Sequence, residues 1–238
     1  MKTAAALAIL LLVGCATIPA APPPQKVLIE VSSATDQKVA VEDDHNHIAQ
    51  SMEVVNPEGK LSSISFISGD KAYTKVSAGL SIFDVTSLWN DFVYFENKTG
   101  IREVDLFINS PGGDAFSGLA LADEIERAKR RGFKITAHAS GIIASAAVPV
   151  FAVCSVRMAA PGTIFLVHEA SLWKWPGRET ASDIRSQGDL MNLLEDRYVE
   201  KLVANSKLDM AKWKELEKNT TWFSVEKAME WGLVDSIE

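Results

Sequence analysis

The chain has 238 residues, of which 47% are hydrophobic, 23% charged and 8% aromatic, the balance of a soluble globular domain with appendages. Its formal net charge is −7, from 24 Lys and Arg against 31 Asp and Glu, and its longest basic run is Lys129–Arg131, placed where a helix ends. These values exclude a nucleic-acid partner, which needs a basic face, and two cysteines, Cys15 and Cys154, leave no disulfide framework.

Met1-Lys2 precedes an apolar run from Ala4 to Val13 and then Gly14-Cys15-Ala16. That order of cation, short apolar run and small residues reads as a secretory signal, too short to span a bilayer. Leu12-Val13-Gly14-Cys15 resembles the lipobox of bacterial lipoproteins. Residues 1–14 are then a signal peptide and Cys15 becomes the lipidated first residue, firmly held by its acyl chains. The other reading is an ordinary signal cleaved near Ala20 or Ala21. In such lipoproteins a non-acidic residue at position 16 goes with the periplasmic side of the outer membrane. Residues 15–60 form a tether: 16–26 are Pro-rich and stiff, Val27–Val31 has an edge-strand pattern, and 42–47 are polar. His45 and His47 read as solvated rather than as metal ligands, and no metal or cofactor is expected.

The region 61–238 is predicted to be one α/β domain. Ile64–Ile67 is a short strand, and Val85–Phe95 has helical spacing. Val104–Ile108 is a strand ended by Asn109-Ser110-Pro111-Gly112-Gly113. A helix follows to Arg131, with Phe116, Leu119, Ala122, Ile125 and Ala128 on its buried side, and Gly132 stops it. Phe133–Ala139 is a strand, after which a small-residue helix begins near Ile142. Val150–Val153 is an apolar, strand-like run that makes Cys154 a buried, inert thiol. Val156–Ala159 and Thr163–Val167 are strands separated by the turn Pro161-Gly162. A long amphipathic helix carries Ile184, Leu190, Leu193, Leu194, Tyr198 and Leu202 and suits outer packing or an oligomer contact. Ser224 caps a last helix, Val225–Trp231. Strands alternating with helices predict a parallel sheet.

Three segments have the chemistry of acyl transfer. The paired Gly112-Gly113 after a strand permits a main-chain N–H to face a bound carbonyl. Ser145, in Gly141-Ile142-Ile143-Ala144-Ser145-Ala146-Ala147, sits at a strand-to-helix junction beside free N–H groups. His168, at a strand end in Val167-His168-Glu169, can accept a hydroxyl proton and return it to a leaving amine. Each alone has a bland reading as a small helix residue, a strand-end histidine or a turn. Their combination in this order carries the argument.

The segments Ile108–Gly113, Gly141–Ser145, Val167–His168 and Glu230–Ile237 together resemble the successive signatures of the Clp protease proteolytic subunit (ClpP), over roughly residues 62–238. The resemblance implies a ClpP/crotonase-like spiral fold with a stacked parallel sheet and surrounding helices, peptide substrates bound as an added strand, and ring-shaped homo-oligomers. It assigns Ser145 as nucleophile, His168 as general base, and the N–H groups of Gly113 and Ala146 as the oxyanion hole. Thr220, after Asn219, occupies the position where the family carries its third triad residue, Asp. A hydroxyl orients an imidazole but brings no charge to an imidazolium. Leu172-Trp173-Lys174-Trp175-Pro176-Gly177 replaces a Gly-rich stretch, and Trp173 and Trp175 narrow a substrate groove, meet lipid head groups, or simply pack. An exported, tethered chain has no ATP supply, so no ATP-driven unfoldase is expected as partner. Two functions follow: an ATP-independent serine endopeptidase acting on short or unfolded polypeptides, or a weak or inactive scaffold that keeps the fold. A crotonase acting on acyl-CoA would not need the Ser145/His168 pair.

Overall fold

A seven-residue stretch with little apolar content, Lys71–Ser77 (β2), joins the sheet because every second residue, Ala72, Thr74 and Val76, faces the core. The structure is a computed structural model describing residues 61–62, 64–172 and 177–238. The expectations on Cys15, the spacer, His45, His47, Trp173 and Trp175 concern residues outside that set. Strand β1 (Phe66–Ser68) pairs antiparallel with β2. The parallel series then runs through β3 (Glu103–Ser110), β4 (Lys134–Ala144), β5 (Val156–Ala159) and the short β8 (Ser236–Ile237). Helices α1 (Ile82–Tyr94, ending in a π turn at Phe95–Thr99), α2 (Ala115–Arg130) and α3 (Ala147–Ala152) link these strands. This is the mixed α/β architecture, mostly parallel and flanked by helices, that the sequence predicts.

Strand β4 serves two pairings, and that split places the functional loops. Its first half, Thr136–Ala139, pairs with β5, and its second half, Ile142–Ala144, pairs with β6 (Ile164–Val167). Between them Gly141 takes φ +67°, and a Cβ there would lie 2.9 Å from the Asn109 side chain, which accepts a hydrogen bond from Ile142 N–H. Antiparallel β7 (Thr221–Ser224) closes the outer side of β6 in the register Val167↔Thr221 to Ile164↔Ser224. Helices α4 (Ala181–Ala204), α5 (Met210–Lys218) and α6 (Val225–Glu230) complete the chain, and Asp209 caps α5 by accepting from Lys212 N–H.

Two expectations are corrected here. Residues 142–144 extend a strand and the helix starts only at Ala147, so 150–152 are helical; a short apolar run buried on all sides has no periodicity to separate the two states. Phe116, the second residue of α2, is 54% exposed and lines a cleft instead of the core. Ile184 and Leu193 of α4 are exposed, at 56% and 60%, while Leu194, Val199 and Leu202 are the buried residues of this helix. Cys154 is buried as expected, at 4% exposure, and burial pushes its thiol up to about 12. No helix among the described residues is long and apolar enough to cross a membrane.

Candidate active site

The loop after β3 is tied down before it reaches the site. Ser110 Oγ donates to Ala78 O at 2.7 Å and accepts from Gly112 N–H at 3.1 Å. Leu80 N–H then donates to Gly112 O at 2.8 Å, and Asp114 N–H to Leu80 O at 3.1 Å. That ladder skips the N–H of Gly113. Both glycines are required: their φ angles are +91° and +152°, and a Cβ on Gly113 would meet the Leu80 backbone at 2.5 Å. A Cβ on Gly112 would meet Ala144 O and Ser145 Cβ, each at 2.7 Å, so the loop lies directly on the serine.

Ser145 turns the chain from β4 into α3 with φ +53°, one of three non-glycine residues with positive φ among those described. Its N–H donates to Leu166 O at 2.8 Å and its carbonyl accepts from Val148 N–H at 3.0 Å; the N–H of Ala146 belongs to neither bond. The half-buried Tyr198 of α4 also donates to Ser145 O, at 3.2 Å. A strained turn held at both its N–H and its carbonyl presents the hydroxyl at the tip of a strand, the geometry of a nucleophile elbow.

A cleft of about 490 Å³ is lined by Ser145, His168, Gly113 and Ala146 together, so the four residues assigned by resemblance converge. His168 follows β6, and its Nδ1 lies 2.6 Å from the Glu169 carbonyl. A carbonyl accepts, so Nδ1 carries the proton and Nε2 keeps the lone pair a base needs. Thr220 does not line the cleft. It is exposed, takes φ +48°, and its N–H donates to Glu217 O at 2.9 Å. The β6–β7 pairing ends at Val167↔Thr221, so His168 and Thr220 each stand one residue beyond the last paired residues. Asn219 ends α5 and is exposed.

Sequence reasoning missed two residues of the cleft, Glu195 and Glu217. Glu217 is 3% exposed, and its carboxyl makes no hydrogen bond to a described residue. Burial, with the charges of Glu195 and Glu169 added, pushes that carboxyl up to about 8. Burial likewise raises Glu195. The run Lys-Trp-Lys-Glu-Leu-Glu-Lys has five charged residues in seven, yet Trp213, Leu216 and Glu217 share one buried face. No group of three or more metal-ligating side chains occurs among the described residues.

The sequence profile of the Clp protease family matches residues 80–238. The chain is 28% identical over 148 residues to "ATP-dependent Clp protease proteolytic subunit 1" of Salinibacter ruber, covering 61% of this chain and 60% of that protein. It is 25% identical over 140 residues to "ATP-dependent Clp protease proteolytic subunit 2" of Thermobifida fusca, covering 57% and 65%. It is 27% identical over 158 residues to "ATP-dependent Clp protease proteolytic subunit 3" of Synechococcus sp., covering 63% and 74%. The chain therefore spans less than two thirds of the first two relatives' length. With the matched region reaching from Leu80 on the loop ladder through Ser145 and His168 to the last residue, this chain belongs to the Clp protease family.

Proposed function

We propose that the chain is a serine endopeptidase that cleaves short or unfolded polypeptides without ATP. The observation that carries this reading is the convergence of Ser145, His168, Gly113 and Ala146 on one cleft. His168 Nε2 takes the proton of Ser145 as Oγ attacks the scissile carbonyl, and the N–H groups of Gly113 and Ala146 receive the developing oxyanion. The imidazolium then gives its proton to the leaving amine as the C–N bond breaks. Water, deprotonated by the same imidazole, hydrolyses the acyl-enzyme and restores the serine. The Glu169 carbonyl holds the working tautomer, while a Thr at position 220 brings no negative charge to the imidazolium, so turnover is slow. In a chymotrypsin-like enzyme the Asp-to-Asn change at the third triad position lowers turnover about 10⁴-fold.

The signal-like residues 1–14 and Cys15 support an envelope enzyme anchored through a lipidated cysteine, on the periplasmic side of the outer membrane, where no ATP-driven unfoldase works. The relatives are named for ATP-dependent proteases, and it is the envelope reading that sets this chain apart. Exposed Ile184 and Leu193 on α4, with Phe66 and Trp222, support assembly into a homo-oligomeric ring that covers them. A second reading, a scaffold with little or no turnover, draws on one observation, the absence of a charged group at Thr220. Incubating the purified full chain with a fluorescein-labelled unfolded polypeptide, with and without ATP, tests the proposal. Release of fluorescent peptides at equal rates in both, lost in Ser145→Ala, supports it; no release from a folded chain supports the scaffold.

A further inference from the structure

The cleft beside Ser145 is built for charge as well as for an apolar group. Phe116, Leu119, Met191 and Leu194 contribute apolar surface, and Asp114, Glu195 and Glu217 contribute carboxyls. Among the described residues that line it there is no Lys or Arg. Asp114 is already used as the cap of α2, accepting from Ser117 N–H and Oγ. Lys214, the cation near Glu217, bonds Asp196 at 2.5 Å. Glu217 and Glu195 are left facing the cleft without a hydrogen-bond partner among the described residues, and a buried carboxyl in that position is costly unless a cation meets it.

We propose that Glu217, with Glu195 beside it, makes this cleft a specificity pocket for a lysine or arginine side chain on the residue whose carbonyl Ser145 attacks. The apolar walls suit the methylene stem of such a side chain, and the carboxyls meet its charged end. The principle is that of other serine peptidases, in which one carboxylate at the floor of the pocket beside the nucleophile selects a basic residue. The carboxyl of Glu217, pushed up to about 8 by burial and by Glu195 and Glu169, fits a site that awaits a cation. The inference rests on the peptidase reading for its place in the reaction but not for its test.

Binding needs no turnover, so the full-length Ser145→Ala chain is titrated by fluorescence with 4-aminobenzamidine, a cation, and by calorimetry with its neutral analogue 4-aminobenzamide. The cation is expected to bind about tenfold or more tighter than the neutral analogue, and Glu217→Gln is expected to remove that difference. Equal affinities for the two compounds overturn the pocket, a comparison that stands even where Glu217→Gln fails to fold. Labelling of the Ser145 chain with peptidyl phosphonates carrying Lys or Leu before the phosphonate then places the pocket in the reaction. A Lys-to-Leu ratio of rate constants that falls about tenfold in Glu217→Gln supports it. An equal loss with both probes makes Glu217 a positioning residue for His168 and overturns the specificity role. Labelling of Ser145 by a plain fluorophosphonate, without preference for the Lys probe, sinks the pocket while leaving the peptidase.

Discussion

Gly112 and Gly132 have nearly the same backbone, φ +91° and +90°, but opposite surroundings. A Cβ on Gly132 meets nothing within 4 Å, whereas one on Gly112 meets Ala144 O and Ser145 Cβ at 2.7 Å and Ala146 N at 3.0 Å. Alanine at either position incurs the left-handed penalty of about 1–2 kcal/mol. At Gly112 the overlap adds about 1–3 kcal/mol, because two of the three neighbours are backbone atoms that cannot rotate away. Relief requires the loop or the serine turn to move by several tenths of an ångström, and a displacement of about 1 Å at a reacting group lowers rates about 100-fold. Gly112→Ala is therefore expected to lose about 2–5 kcal/mol in urea melts and to slow fluorophosphonate labelling of Ser145 by about 10- to 100-fold. Gly132→Ala is expected to lose only about 1–2 kcal/mol and to label like the wild type. Equal stability loss in the two variants, or wild-type labelling of Gly112→Ala, would refute the argument that this loop fixes the serine.

Thr220→Asp places a carboxylate at the position that the family resemblance gives to the third triad residue and is expected to raise the labelling rate about tenfold or more; an unchanged rate in a folded variant removes position 220 from the site. The carboxyl of Glu217 stands at about 8 in the folded chain against an ordinary value of 4.5. Between those values the folded state holds a proton that the unfolded state has released, so stability falls as pH rises through that window. Glu217→Gln removes the dependence, and its stability relative to wild type is expected to gain on the order of 1–3 kcal/mol from pH 5 to pH 9; parallel pH profiles would contradict the assignment. Glu195, Glu169 and Lys214 act on this carboxyl, Asp114, His168 and Tyr198 line the same cleft, and all remain in both chains. Cys154 is expected to resist a maleimide in the folded chain and to react at once in urea, and rapid labelling without denaturant would contradict its burial.

The residues proposed to do the chemistry were legible because each sits at a break in pattern. Gly112-Gly113 interrupts a strand exit, Ser145 marks a change from strand to helix, and His168 ends an apolar run. What escaped lacked such a mark. Strand β2 has only Ala72 and Val76 as buried apolar residues, with Thr74 buried between them, so its alternation carries almost no hydrophobic contrast. Helix α5 hides its buried face, Trp213, Leu216 and Glu217, among four other charged residues. The signals that could have found it are Asp209 as a cap and the spacing of Trp213, Leu216 and Glu217. Glu217 itself was invisible, because only the fold reveals that α5 turns this carboxyl towards the cleft that holds His168. Phe116 shows the reverse error: helical periodicity put it in the core, while its place in the first turn of α2 leaves it exposed at the cleft.

The most direct test of the central claim is intact-mass analysis of the purified full chain after exposure to a fluorophosphonate, beside Ser145→Ala and His168→Ala. An activated serine predicts one adduct on the wild type, none on Ser145→Ala and slower formation on His168→Ala. A well-folded wild type that takes no adduct would contradict the account and leave the scaffold reading.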